Sequence, residues 1–415
     1  MSLAVADALL EGHPVGLRAE DGLIAELGAD VAPQPGEELI DATGMLLCPP
    51  MVNAHTHAAM TLFRGFGDDM PLMEWLRTKI WPAEARLEPE DVYWGTRLAC
   101  IEMIRAGTTR FFDMYWHGSE AARAVVDSGM RAAVSSVIID QLDPAKGREL
   151  RGEVIASLDR IAGAGERVEP SLGPHAIYTV SPESLSWIAE VAAERGITLQ
   201  IHLSETQQEV ADCVEAHGKR PAAFLDELGF LGPRTVLAHG DWLDESELEL
   251  IAGRGATVVA NPAANMKLAV GGVLPYPAAA RTGVRLGLGT DGVSSNSNLD
   301  SFEEVKLFAL SQKHASGDPS TLPASEALAI ARGFRSPVLG ATPLEVGQPA
   351  DFLVLRGHDP ELSAGDLDAD LVYAASGAVV DTTVVAGEVL MRNREVAGAE
   401  EAVAEVRARA ARLTR

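Results

Sequence analysis

Only three cysteines occur in 415 residues, Cys48, Cys100 and Cys213. They make no CxxC pair and no even-numbered framework, which excludes a disulfide scaffold and fits a reducing compartment. Basic residues are scarce as well, with 34 Lys plus Arg against 60 Asp plus Glu and a formal net charge of −26. A surface this acidic repels phosphate backbones and anionic lipid, so neither nucleic acid nor a membrane is expected as a partner. No apolar run approaches the roughly 18 residues of a membrane helix. The N-terminus has no basic region, and Asp7 and Glu11 interrupt its apolar stretch, so no signal peptide is read and a soluble, cytoplasmic protein is expected. What is present is ordinary globular composition, 47% hydrophobic and 23% charged, which excludes disorder, collagen and coiled coil as whole-chain descriptions.

The chain ends read as β structure. Val15–Ala19 and Leu23–Leu27 flank Glu20-Asp21-Gly22, a hairpin signal. Two strands alone are not stable. Runs at 351–355 and 379–385 supply partners, and 399–414 reads as a helix. One small composite domain is therefore expected from 1–47 and 346–415. From 48 to 345, apolar runs alternate with helical patterns. The runs fall at 46–53, 109–113, 132–138, 169–175, 198–202, 235–239, 256–261 and 285–291. Alternation of this kind predicts a parallel sheet, and eight units predict an α/β fold of the (β/α)8 TIM-barrel type beside a small β-sandwich. A doubly wound open sheet is the alternative.

Chemistry concentrates at the strand ends. Five of the ten histidines, His55, His57, His175, His202 and His239, sit at or just past the C-terminal end of an expected strand, and Asp291 ends the last one. In a barrel these ends open on one face. In an extended segment, positions i and i+2 point the same way, so His55 and His57 can reach one ion. With His202 and Asp291 they give three nitrogens and one carboxylate oxygen, a set for a single divalent metal with a position left for water. Zinc is foremost; iron, nickel and manganese also suit. The fourth strand ends in Gly173-Pro174-His175 without a lysine that could bridge two ions. Glu205, three residues beyond His202, and Asp291 are the carboxylates placed to move protons. A metal-binding module without turnover is the competing class, and Glu205 argues against it.

Asn53-Ala54-His55-Thr56-His57, followed by Met60, Arg64-Gly65 and Asp68-Asp69, resembles the amidohydrolase superfamily. Leu72-Met73-Glu74-Trp75-Leu76 and Ile80-Trp81-Pro82-Ala83-Glu84 resemble its chlorohydrolase and aminohydrolase branch. The closest likeness is to 5'-methylthioadenosine/S-adenosylhomocysteine deaminases. His202-Leu203-Ser204-Glu205, Ala238-His239-Gly240, Asn261-Pro262-Ala263-Ala264-Asn265 and Gly289-Thr290-Asp291-Gly292 with Ser295-Asn296 complete it. The resemblance implies hydrolytic deamination of an aminopurine nucleoside by a metal enzyme; a homo-oligomer is expected separately, because the long first loop, from about 58 to 90, is placed to contact a second subunit. It implies that His55, His57, His202 and Asp291 are zinc ligands and that His239 contacts the catalytic water or developing oxyanion. Glu205 then protonates a ring nitrogen, and Asp291 shuttles the water's proton. Glu84 and His175 match substrate contacts, Glu84 toward ribose hydroxyls; Trp81 is expected near substrate and Trp75 in helix core. Arg148 and Arg151 fall where such proteins place arginines for a homocysteine carboxylate. The runs Ile330 to Gly340 and Ala269 to Pro277 depart from the family pattern without touching the metal set. The alternative within the branch is a guanine, cytosine or pterin deaminase, or a triazine dechlorinase.

Overall fold

Proline sets the first boundary. Pro49 and Pro50 have no backbone N–H and cannot extend a ladder. The run expected as one strand from Leu46 to Asn53 is therefore two, Leu46–Cys48 in one sheet and Met51–His57 in another. The computed structural model describes residues 2–363 and 365–415; Met1 and Ala364, inside the expected terminal segments, lie outside the described residues.

Met51–His57 begins a parallel sheet. It continues in chain order through Thr108–Asp113, Arg131–Ile138, Val168–Pro174, Thr198–Leu203, Thr235–His239, Thr257–Ala260 and Arg285–Leu288. Register places His202 opposite Ala238 and Leu203 opposite His239. Just beyond the last strand, Asp291 and Gly292 pair with Thr56 and His57 of the first. The sheet is thus curled, and its last segment meets its first. Val52, Ala54, Phe112, Ala133, Val236 and Val259 fill its interior as one apolar cluster. Between Asn53 and Thr56 the pairing register shifts, an irregularity of the kind that re-aims side chains.

The helices carry their own start and stop signals. Pro182 opens Pro182–Arg195 behind Ser181, whose side chain accepts the Ser184 N–H. Asp244 and Glu247 form a capping box at Glu245–Arg254. Among the described residues, no helix is long and apolar enough to cross a membrane. All three cysteines are buried free thiols.

The second sheet draws on both chain ends. Ser2–Leu10, His13–Glu20, Leu23–Gly28, Glu38–Asp41 and Leu46–Cys48 join Phe352–Leu355, Val380–Val385 and Glu388–Met391 through the antiparallel pairing of Leu46–Cys48 with Phe352–Leu355. Hydrogen bonds connect all eight strands as one sheet around a separate core of Leu3, Val5, Leu17, Ile24, Phe352 and Val354. The expected hairpin is present, with Glu20 opposite Leu23. The helix Ala399–Leu413 packs away from this sheet, against Pro89–Arg105 and Ala58–Phe63. Arg409 and Arg412 draw it there by reaching the buried carboxylate of Asp91.

Candidate active site

Every residue of the cluster stands at the C-terminal edge of the curled sheet. His57 Nδ1 lies 2.6 Å from the Met114 carbonyl, and His202 Nδ1 lies 2.8 Å from the His175 carbonyl. A carbonyl only accepts, so each Nδ1 carries the proton and each Nε2 turns a lone pair inward. His202 Nε2 is 3.2 Å from both His55 Nε2 and His57 Nε2. Asp291 Oδ1 is 3.4 Å from His55 Nε2 and 3.1 Å from His57 Nε2. Facing lone pairs repel unless a cation lies between them. Ligands about 2.0–2.1 Å from a tetrahedral ion stand about 3.3 Å apart, the spacing found here. The donor set therefore fits one divalent metal. His55, His202, His239 and Asp291 also bring donor atoms within 4.8 Å of one another. His57 makes the shorter approaches, so His55, His57, His202 and Asp291 are the tighter set and His239 stands beside it.

His239 is held from behind. Its Nδ1 lies 2.9 Å from Asn265 Oδ1, and its Nε2 faces Glu205 Oε2 at 4.0 Å. With Nδ1–H donating to the amide oxygen, Nε2 is left as a proton acceptor. Ser295 Oγ donates to Asp291 Oδ2 at 2.6 Å. Three non-glycine residues here have left-handed backbone, Ser204 (φ 50°), His239 (φ 76°) and Asp291 (φ 57°). Such conformations cost on the order of 1–3 kcal/mol each and cluster at sites that need a fixed geometry.

Burial shapes the ionisation. It is the main cause that keeps the His202 imidazole well below its ordinary value, and neighbouring histidines add to it. Burial lowers His55 to about 4 and His175 to about 3. On His57, burial is outweighed by the Asp291 carboxylate, which raises the imidazole to about 9, so a proton and a cation compete for that Nε2. Burial works against the Asp291 charge, yet His55 and His57 hold it well below the carboxylate range. Glu205 is pushed up to about 8, by burial first and then by the Asp291 charge, so it holds a proton at neutral pH. Glu84 is raised by burial, and its Oε2 accepts the Trp116 indole N–H at 3.2 Å.

A cavity of about 70 Å³ lies over the cluster, lined by His57, His175, His202, Glu205, His239 and Asp291 on its floor and by Trp81 and Glu84 above. His55 is fully buried beneath it. Trp75 also lines the cavity while packing in the core, so both Trp75 and Trp81 reach it. The cavity shares Trp81, Glu84, Tyr115, Trp116 and Tyr178 with a side chamber of about 830 Å³. Arg148 is not brought to either space. It lies on Pro144–Ala162 and pairs with Glu183 at 2.7 Å on the surface, as Arg151 does at 3.0 Å. His117 lines only the chamber. Met114, Tyr115, Trp116 and Tyr178 were not anticipated from the sequence as lining residues, although the first three follow Asp113 at a strand end as directly as the histidines follow theirs.

A curled parallel sheet whose strand ends gather three imidazoles and a carboxylate defines a metal-dependent hydrolase class of site. The Amidohydrolase family pattern matches residues 46–390, and the chain belongs to that family. It is 47% identical over 399 residues to a 5'-deoxyadenosine deaminase of Methanoregula boonei, covering 94% of this chain and 90% of that protein. To a 5-methylthioadenosine/S-adenosylhomocysteine deaminase of Pelotomaculum thermopropionicum it is 42% identical, covering 92% and 88%. A crystal structure of an adenosine deaminase from Xanthomonas campestris with bound zinc superposes with a TM-score of 0.90 at 32% identity, covering 99% of this chain and 98% of that one.

Proposed function

We propose that this chain is a zinc-dependent hydrolase that deaminates an aminopurine nucleoside of the 5'-deoxyadenosine, 5'-methylthioadenosine, S-adenosylhomocysteine or adenosine type. The observation that carries the reading is the facing of a four-donor cluster and the buried Glu205 carboxyl across one cavity. The relatives named above for such nucleosides share most of its length. The curled sheet is, in this reading, a closed (β/α)8 barrel of residues 48–345. The pairing of Asp291 and Gly292 with Thr56 and His57 supports closure. Residues 1–47 and 346–415 make up the small composite β domain, its strands joined in one sheet rather than two, with the final helix laid back on the barrel.

His55, His57, His202 and Asp291 would hold the ion. When bound, a divalent ion supplies a Lewis acid that lowers the pKa of a coordinated water to about 7. Glu205 gives its proton to the ring nitrogen beside the carbon bearing the amino group, which makes that carbon electrophilic. His239, with Nε2 free to accept, takes the proton of the water that attacks this carbon, then donates to the oxyanion that develops. Asp291 receives that water proton by way of His239 and passes it to the amine; as ammonia departs and the ring carbonyl forms, the remaining hydroxyl proton returns to Glu205. Glu84 and His175 contact the substrate, and Trp81 walls the ring. The chamber beyond Glu84 and Trp116 receives the sugar and its 5' substituent.

A substrate panel on metal-replete enzyme tests this, read as ammonia release and the shift in purine absorbance. Turnover of adenosine, 5'-deoxyadenosine, methylthioadenosine or S-adenosylhomocysteine is expected. If all four fail while guanine, cytosine, a pterin or a triazine turns over, the substrate class is wrong.

A further inference from the structure

The turn that carries Glu205 is an unusual piece of backbone. Ser204 is left-handed at φ 50°, fully buried, and its own hydroxyl finds no hydrogen-bond partner among the described residues. Nothing in the Ser204 side chain holds that conformation. One buried carboxylate does. Glu209 accepts the Ser204 N–H on Oε1 and the Glu205 N–H on Oε2, both at 2.9 Å. It is 5% exposed and sits in the first turn of Gln207–His217. The helix is capped by Thr206, whose Oγ accepts the Glu209 N–H at 3.1 Å. In an ordinary capping box the third helical residue reaches back to the cap residue's N–H. Here it reaches past the cap to the two residues before it.

We propose that Glu209 is a positioning residue that fixes the direction of the Glu205 side chain by clamping the two peptide N–H groups on either side of the Ser204 turn. Two acceptor oxygens in one rigid plane meet two consecutive donors, so both peptide planes are fixed together. The Cα–Cβ vector of Glu205 leaves the second of those peptides. Other bonds pin the turn from outside, Gly240 N–H to Leu203 O at 2.9 Å and Trp242 N–H to Ser204 O at 3.0 Å. These hold the carbonyls and leave the N–H groups to Glu209. The clamp explains why an acid is buried in a position that lines no part of the cavity.

The inference rests on Glu205 being the proton donor, and a double-mutant cycle separates the two claims. Glu209→Gln replaces one acceptor oxygen by an NH2 group, which cannot accept the second N–H. Misplacing a catalytic group by an ångström costs about a hundredfold, so a fall in kcat of about 30–100-fold is expected, with KM within about threefold and one equivalent of metal retained. In a Glu205→Gln background the same change should cost less than about threefold, because a residue acting through Glu205 has nothing left to position. Glu209→Asp keeps two acceptors on a shorter stem and should recover part of the loss; it enters the same cycle if the glutamine variant does not fold. Losses that multiply across the cycle, a near-normal kcat for Glu209→Gln, or loss of metal would each overturn the positioning role. A Glu205→Gln enzyme with a near-normal rate would instead sink the assignment of Glu205 while leaving the geometry of the turn as it is.

Discussion

At the scale of single residues, the chemistry separates holding a metal from moving protons. Glu205 is three residues from His202, yet its carboxyl faces His239 and the cavity, outside the four-donor set. Glu205→Gln keeps the side chain's size and removes the transferable proton. It should retain one equivalent of metal and lose turnover by about 10²–10⁴-fold, the span of general acid–base contributions; metal analysis beside steady-state rates checks both halves. His55→Ala should lose metal and activity together, since His55 is fully buried and its Nε2 is committed to the cluster. An alanine variant that kept stoichiometric metal would remove His55 from the ligand set. The cluster was legible in the sequence because strand ends are marked by short apolar runs, and histidines at five such ends share one address. The surface position of Arg148 is not legible for the opposite reason. A long side chain on a helix takes its partner from the neighbouring helix, and Arg148 pairs there with Glu183. The aromatic walls at Tyr115, Trp116 and Tyr178 carry no comparable sequence signal, because groups that only shape a pocket need neither a donor atom nor a fixed spacing.

At the scale of elements, turn chemistry was readable where one residue type dominates the outcome. Asp21 (φ 50°) and Gly22 (φ 83°) form the two-residue connection between His13–Glu20 and Leu23–Gly28, both left-handed as hairpin turns of this length require. Gly22→Ala puts a Cβ into that conformation, 3.4 Å from the Ala386 carbonyl oxygen. It should cost about 1 kcal/mol, seen as a lower denaturant midpoint, with kcat unchanged because the turn lies in the other sheet. The proline pair at 49–50 was just as informative, and a strand drawn across it ignored the two missing donors. The destination of Ala399–Leu413 was not readable at all. Its sequence predicts a helix, but its docking depends on Asp91 being buried more than 300 residues earlier in the chain, with free acceptors for Arg409 and Arg412. Propensity carries no information about a partner of that kind.

At the scale of the whole molecule, the excess of acid sets an unusual relation between charge and stability. With a net charge of −26 at neutral pH and a sequence pI near 4.7, acidification toward pH 5 relieves self-repulsion. Part of the stability lost below that range comes from particular carboxylates that the folded chain keeps ionised. Glu37 is one. Its pKa is lowered from 4.5 to about 2, first by the Arg18 guanidinium, then by the Gln34 N–H and the Ser2 hydroxyl. A carboxylate depressed in the folded state stabilises fully above its unfolded value and loses that contribution as pH falls through the folded one. The window is thus from about pH 4.5 down to about 2, and the element affected is the small sheet, where Arg18 on His13–Glu20 ties Glu37 and Glu26 across strand and loop. Arg18→Met removes the largest cause. Urea midpoints measured from pH 6 to pH 3 should show a variant less stable at pH 6 whose decline below pH 4.5 is shallower than that of the parent, because its Glu37 titrates nearer the same pH folded or unfolded. Metal release at low pH acts on both proteins alike and cancels in the difference. Parallel declines would mean that acid lability resides in other carboxylates.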